Sequence, residues 1–342
     1  MNYNEILQAA RTCMGPYCKA CPVCDGKACR NTIPGPGSKG LGVTFQRNYQ
    51  KWQELCVQMD TICDNRPADT SFDFFGAKLR LPVLAAPVGA MKMHYGDKYD
   101  DAAYNDLLVA SCRSAGILAC TGDGIDDGVM QGALQAIRAA QGCGVPTVKP
   151  WDRDTLFRKL EQIRKAEPLA VAMDIDAAGL PFLQHRTPPA GSKTVQELRE
   201  IIAFAGKPFI LKGIMTPAGA RKAMEAGAAG IVVSNHGGRV LDQCPSTAEV
   251  LPAIADAVGG RMKIFVDGGI RTGGDVYKCL ALGADAVLIG RPVCHAAIGG
   301  GAEGVAMYFE KIKGALHDNM LITGCNTLKD ITPDKIRNRN SY

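Results

Sequence analysis

The 342-residue sequence has no apolar run long enough to cross a bilayer; its longest, around residues 81–91, is broken by proline. A spanning helix needs about 20 apolar residues, so no membrane segment is expected. It also lacks a basic, apolar, small-residue leader, and the expectation is a soluble, cytoplasmic protein. Neither sign of charge dominates: 39 Lys and Arg stand against 34 Asp and Glu, and the basic residues are scattered. That argues against nucleic acid as a partner and leaves a small anionic ligand. Low-complexity tracts and long linkers are missing too, so residues 1–342 read as one domain.

Cysteine, by contrast, is plentiful. There are 14, and Cys13, Cys18, Cys21, Cys24 and Cys29 form the pattern C-x4-C-x2-C-x2-C-x4-C. In a reducing compartment such thiols are free or bind metal more often than they form disulfides. The tight spacing suits several thiolates on one centre, so Cys18, Cys21, Cys24 and Cys29 are candidate ligands of zinc or an iron–sulfur cluster. The alternative is reduced, buried cysteines or a regulatory disulfide. Residues 1–66 then form a Cys-rich helical extension.

From residue 81 onward short apolar runs alternate with amphipathic stretches. Strands are expected over 81–86, 117–121, 146–149, 169–175, 209–212, 230–234, 263–267 and 286–290. Helices are expected over 154–166, 194–205, 217–226, 247–258, 273–282 and 302–317. Strict alternation of eight such units predicts an α/β fold, the closed (β/α)8 TIM barrel. Thr216-Pro217 and Ser246-Thr247 read as helix starts, a hydroxyl capping the first free amides.

In a barrel, chemistry gathers after the carboxyl ends of the strands. The run 231–242 places Ser234, His236 and Arg239 on a glycine-loosened loop there. A histidine can take a proton at neutral pH, and a guanidinium three residues on can hold a carboxylate by a two-pronged pair. Other residues at strand ends are Pro87, Val88 and Gly89, Thr121, Lys149, Asp174 with Asp176, and Lys212. Asp267, Gly268, Gly269 and Arg271, then Gly290 and Arg291, follow the seventh and eighth strands as an anion nest suited to phosphate.

Residues 210–214 (Ile-Leu-Lys-Gly-Ile), 234–239 (Ser-Asn-His-Gly-Gly-Arg), 267–271 (Asp-Gly-Gly-Ile-Arg) and 281–292 together resemble the FMN-dependent 2-hydroxy acid oxidoreductases. That family includes glycolate oxidase, lactate oxidase and mandelate dehydrogenase. The resemblance is dense over 208–328 and traceable from about 72, where Ala86–Met91 is similar to the family's flavin-facing loop. It implies FMN as cofactor, His236 as the base, Arg239 on the substrate carboxylate and Lys212 beside the flavin N1/O2 edge. It further implies Ser234 on the ring, Asp176 or Asp174 behind the histidine, Lys149 where many relatives carry glutamine, and Asp267, Gly269, Arg271, Gly290 and Arg291 at the phosphate. The implied reaction oxidises a small (S)-2-hydroxy acid such as lactate or glycolate, with oxygen or a redox protein as electron acceptor, in a homo-oligomer.

The sequence departs from the family where relatives place two tyrosines that grip the substrate. Thr32 or its neighbours stand at the first place and Pro150-Trp151 near the second, and only Arg186 is available as a second carboxylate-binding arginine. Two other readings follow: an FMN barrel of other chemistry, similar to type 2 isopentenyl diphosphate isomerase, or an electron-transfer or redox-sensing protein built on the cysteines.

Overall fold

The computed structural model describes residues 2–339 except 34, 65, 185, 186 and 189. Eight parallel strands close into a barrel: β1 Val83–Ala85, β2 Leu118–Thr121, β3 Val145–Val148, β4 Val171–Asp174, β5 Phe209–Ile214, β6 Gly230–Val233, β7 Lys263–Val266 and β8 Ala286–Ile289. Closure is made by β8 on β1, with Val287 opposite Val83. All eight lie where the apolar runs predicted them.

These strands are apolar along nearly their whole length because both of their faces are covered. One face fills the barrel with Leu84, Cys120, Ala172, Ile210, Phe265 and Leu288. The other packs under the helices, in the cluster that holds Val83, Ala119, Met173, Leu211 and Val287. The hairpin Phe72–Phe74/Ala77–Leu79 closes the N-terminal end, where Phe72 meets the Phe265 ring edge-on, centroids 6.4 Å apart. The expected caps are present: Thr216 accepts from the Gly219 amide, and Ser246 forms a reciprocal box with Glu249.

One helix differs from its expected span. Expected over 302–317, it runs Arg291–Ile322, with a break at Gly301, whose φ of 58° and ψ of −143° are not helical. Pro292 sits in its first turn, where the missing amide hydrogen costs nothing, so the helix starts directly after β8.

The N-terminal region is woven into the barrel. Helix Tyr3–Cys13 packs along Arg291–Ile322, and strand Leu55–Val57 pairs antiparallel with Ile336–Asn338. Helix Val43–Gln53 buries Trp52, whose Nε1 donates to the Gly268 carbonyl at 2.9 Å. Between the two helices the chain crosses the C-terminal mouth of the barrel, where the Lys39 amide donates to the Gly238 carbonyl.

Contact between helices Tyr3–Cys13 and Arg291–Ile322 depends on a missing side chain: a Cβ on Gly299 would stand 2.1 Å from the Ile6 carbonyl oxygen. Gly299→Ala is therefore expected to lower stability by about 1–3 kcal/mol. Gly314, in the same helix with nothing within 4 Å of its Cβ position, should give the opposite sign on Gly314→Ala, a gain of about 0.5–1 kcal/mol. Urea unfolding midpoints of the two variants check this, and equal midpoints would contradict the packing described.

Candidate active site

A cavity of about 680 Å³ opens at the C-terminal mouth, with walls from the loops after the strands and from the N-terminal segment. At its floor are charges that the strand ends deliver into a nearly dry interior. Lys212 ends the regular part of β5; its Nζ lies 3.0 Å from Asp174 Oδ1 and 3.7 Å from Asp267 Oδ2. Lys149, just past β3, lies 3.9 Å from the other Asp174 oxygen. All four side chains are buried.

Burial alone would discharge these groups, and their neighbours oppose it. Burial works to lower the Lys212 pKa, but Asp174, Asp176 and Asp267 together hold it above the ordinary lysine value. For Asp174 burial pushes upward, and Lys212, His236 and Lys149 overcome it, leaving the carboxyl below its usual range. Asp267 stays raised, because burial outweighs Lys212.

His236 follows β6 in a short 3-10 turn with φ of 56°, left-handed for a residue with a side chain. Its amide donates to Ser234 Oγ at 3.0 Å, and its Nδ1 lies 3.0 Å from Asp176 Oδ1. The alternation at 174–176 left either carboxylate eligible for this place; the geometry puts Asp176 on the histidine and Asp174 on the lysines. Gly213 permits that approach: with φ of 108°, it would bring any Cβ within 2.5 Å of Asp176. Burial first, then Lys212, Arg239 and Lys149, holds the His236 pKa well below 6.5 despite the pull of Asp174.

Arg239 closes the turn. Its Nη2 donates to the Gly35 carbonyl at 3.0 Å and lies 3.4 Å from His94 Nε2. His236 and Arg239 both line the cavity, together with Pro87, Val88, Gly89, Lys149 and Lys212. Gly268, Gly269, Arg271, Gly290 and Arg291 line it as well. Thr121 and Ser234 are fully buried and are not among the lining residues; Gly122 takes the place beside Thr121.

The two arginines of the glycine loops are engaged with the N-terminal segment. Arg271 donates through Nε and Nη2 to the Cys24 carbonyl. Arg291 donates to the carbonyls of Pro36, Gly37 and Gly237 and lies over the Phe45 ring at 3.8 Å. Gly269 also serves that segment, since a Cβ there would lie 2.1 Å from the Asn48 carbonyl oxygen.

The expected thiolate centre is not assembled. Among the described residues, the one set of three metal-ligating atoms within 4.8 Å of one another is that of Asp174, Asp176 and His236, with no cysteine in it. Cys18 Sγ instead lies 3.3 Å from His295 Nε2, and Cys24 gives Arg271 its carbonyl. Burial pushes the Cys18 thiol up to about 12 and raises Cys21 and Cys29.

Three features escaped sequence reasoning. Lys149 and Asp174 were expected at strand ends but not as a pair, and neither His94 nor the part of the cavity wall made by Ile33 and Pro36 was singled out. Arg186 lies outside the described residues. Trp151, near the place of the family's second tyrosine, is buried and donates its indole N–H to Asp123 at 2.6 Å. Asp123 in turn is paired with the buried Lys159 at 2.9 Å.

The cavity suits a flavin nucleotide. Buried polar atoms without partners stand at or beside it, among them Thr121 Oγ1, Asp267 Oδ1 and Arg239 Nε, and a fixed cation lies at its floor. Comparison with known proteins agrees. An L-lactate oxidase of Roseobacter sp. (strain GAI101) is 48% identical over 141 residues, 41% of this chain and 38% of that protein. The peroxisomal (S)-2-hydroxyacid oxidase GLO3 of Arabidopsis thaliana is 30% identical over 87% of this chain and 89% of its own length. A crystal structure of mandelate oxidase superposes with a TM-score of 0.80 at 26% identity, covering 98% of this chain and 97% of that one. The family model described as FMN-dependent dehydrogenase matches residues 36–188 and 185–338, and the chain belongs to that family.

Proposed function

We propose that the protein oxidises a small (S)-2-hydroxy acid of the lactate or glycolate type to the 2-oxo acid, with FMN held in the cavity. The observation that carries this reading is the placement of an Asp176-backed His236 and of Arg239 on one cavity wall. With Nδ1 turned to Asp176, His236 keeps Nε2 for a substrate proton, and the neutral ring that its surroundings favour is the form a base requires. Asp176 then steadies the imidazolium that forms. Arg239 holds the substrate carboxylate, which fixes the α-carbon relative to the base.

FMN, when bound, supplies the two-electron sink for the hydride equivalent leaving that carbon. Lys212 offers a preorganised positive charge where negative charge develops, and Lys149 adds a second. Asp267, beside Lys212, suits hydroxyl groups of the ribityl chain, and Gly268 to Arg271 with Gly290 and Arg291 are assigned to the phosphate end. The lactate, 2-hydroxyacid and mandelate oxidase names of the relatives support the substrate class. The Cys-rich segment is read as a wall of this site and not as a metal centre. No helix among the described residues is long and apolar enough to cross a membrane. A cytoplasmic, homo-oligomeric enzyme with oxygen or a redox protein as electron acceptor is part of the same proposal.

His236→Ala is expected to retain FMN but to slow flavin bleaching by L-lactate or glycolate on the order of 100 to 10,000-fold, followed anaerobically by stopped flow. Bleaching at the wild-type rate would remove His236 as the base. The pH profile gives a second check. Because the His236 pKa lies below 6.5, the base is already neutral above that pH and is lost only as pH falls through the lowered value. Flavin reduction should therefore be flat from about pH 6.5 to 8.5 and decline on the acid side; an inflection near pH 7 would contradict it.

A further inference from the structure

His94 is 6% exposed, lines the cavity and belongs to the short helix Met91–Tyr95 that follows the loop after β1. Its one side-chain polar contact among the described residues is Arg239 Nη2, 3.4 Å from Nε2. Its Nδ1 is buried with no partner. A guanidinium has five N–H donors and no acceptor, so this contact requires an unprotonated Nε2 and places the ring proton on Nδ1. The charges around it agree: burial first, then Arg239, Lys149 and Arg291, pushes the His94 pKa down to about 3.

Burying an imidazole with one unpaired N–H is costly, and an apolar side chain would fill this place without that cost. What an apolar side chain would lose is the acceptor. Nη2 of Arg239 faces two acceptors, the Gly35 carbonyl and His94 Nε2, one for each of its hydrogens. Nε is buried without a partner, and no protein acceptor for Nη1 is found among the described residues. The guanidinium is thus pinned at Nη2, and the two Nη1 hydrogens are left for a ligand.

We infer that His94 is a positioning residue: as a neutral acceptor it fixes the rotation of the Arg239 guanidinium so that Nη1 faces the substrate carboxylate. This rests on the reading of Arg239 as the carboxylate clamp. The Gly35 carbonyl alone leaves the group free to swing about that single bond. The histidine also adds no positive charge beside Arg239, which a lysine or a protonated histidine would.

The test is binding of oxalate, a planar dicarboxylate, to the FMN-loaded protein, read from the flavin absorption spectrum. His94→Gln keeps an acceptor near the Nε2 position, and His94→Leu removes it. Oxalate Kd is expected to rise about tenfold in His94→Leu and to stay within about threefold of wild type in His94→Gln, with FMN content unchanged in both. With an active hydroxy acid, KM should rise similarly in His94→Leu while kcat changes less than about threefold. In an Arg239→Met background His94→Leu should weaken oxalate no further, which a merely structural role would not produce.

Wild-type oxalate affinity in His94→Leu, equal weakening in both His94 variants, or the same penalty without Arg239 would each overturn the inference. A wild-type protein that does not bind oxalate would overturn it together with the clamp. Oxalate binding without bleaching by any hydroxy acid would sink the proposed reaction while the His94 comparison still decides.

Discussion

The arrangement at the barrel mouth depends on one constraint: a charge taken out of water must meet an opposite charge. Lys212 is drawn to that place by Asp174 and Asp267, and Lys149 by the other oxygen of Asp174. Removing Asp174 would leave Lys149 without its carboxylate and Lys212 with only the more distant Asp267, the situation in which breaking a buried pair is most destabilising. A barrel serves this because parallel strands end together, so residues far apart in sequence arrive at one level. Asp176 and His236 occupy the next level, past the strand ends, and there the balance shifts toward the neutral imidazole.

A second ring of contacts lies above the first. Arg239, Arg271 and Arg291 all donate to main-chain carbonyls of residues 24–37. A carbonyl is a weak partner for a guanidinium compared with a carboxylate, so these bonds order the segment without neutralising the arginines. The cavity therefore keeps a positive rim over a balanced floor, which is the field an anionic substrate and a phosphate both require. Asn48 and Trp52 extend the same fastening, the former to Asn235 just before His236 and the latter to the loop after β7.

The barrel was legible because its signal is local: each strand is a short apolar run with both faces buried, and each helix start carries its own cap. His236, Arg239 and Lys212 were legible because they sit directly past such runs. What stayed hidden is what depends on long-range proximity. Asp174 and Asp176 are indistinguishable by spacing, and only the turn of the chain after β4 separates their partners. The cysteine run is ambiguous for the same reason, since spacing along the chain says nothing of whether Cys18 turns to its neighbours or to His295. His94 gave no signal, because its meaning comes wholly from an arginine 145 residues away.

The segment that crosses the mouth has a consequence for how the chain folds. Gly35 and Pro36 emerge first during synthesis, but their partners Arg239 and Arg291 lie 204 and 255 residues later. Contacts of such separation form late, because the entropy of closing a long loop must be met before they return anything. Barrel closure has the same reach, since β8 must return to β1 where Val287 lies opposite Val83, so neither the barrel nor the roof over its cavity is complete until nearly the whole polypeptide has been made.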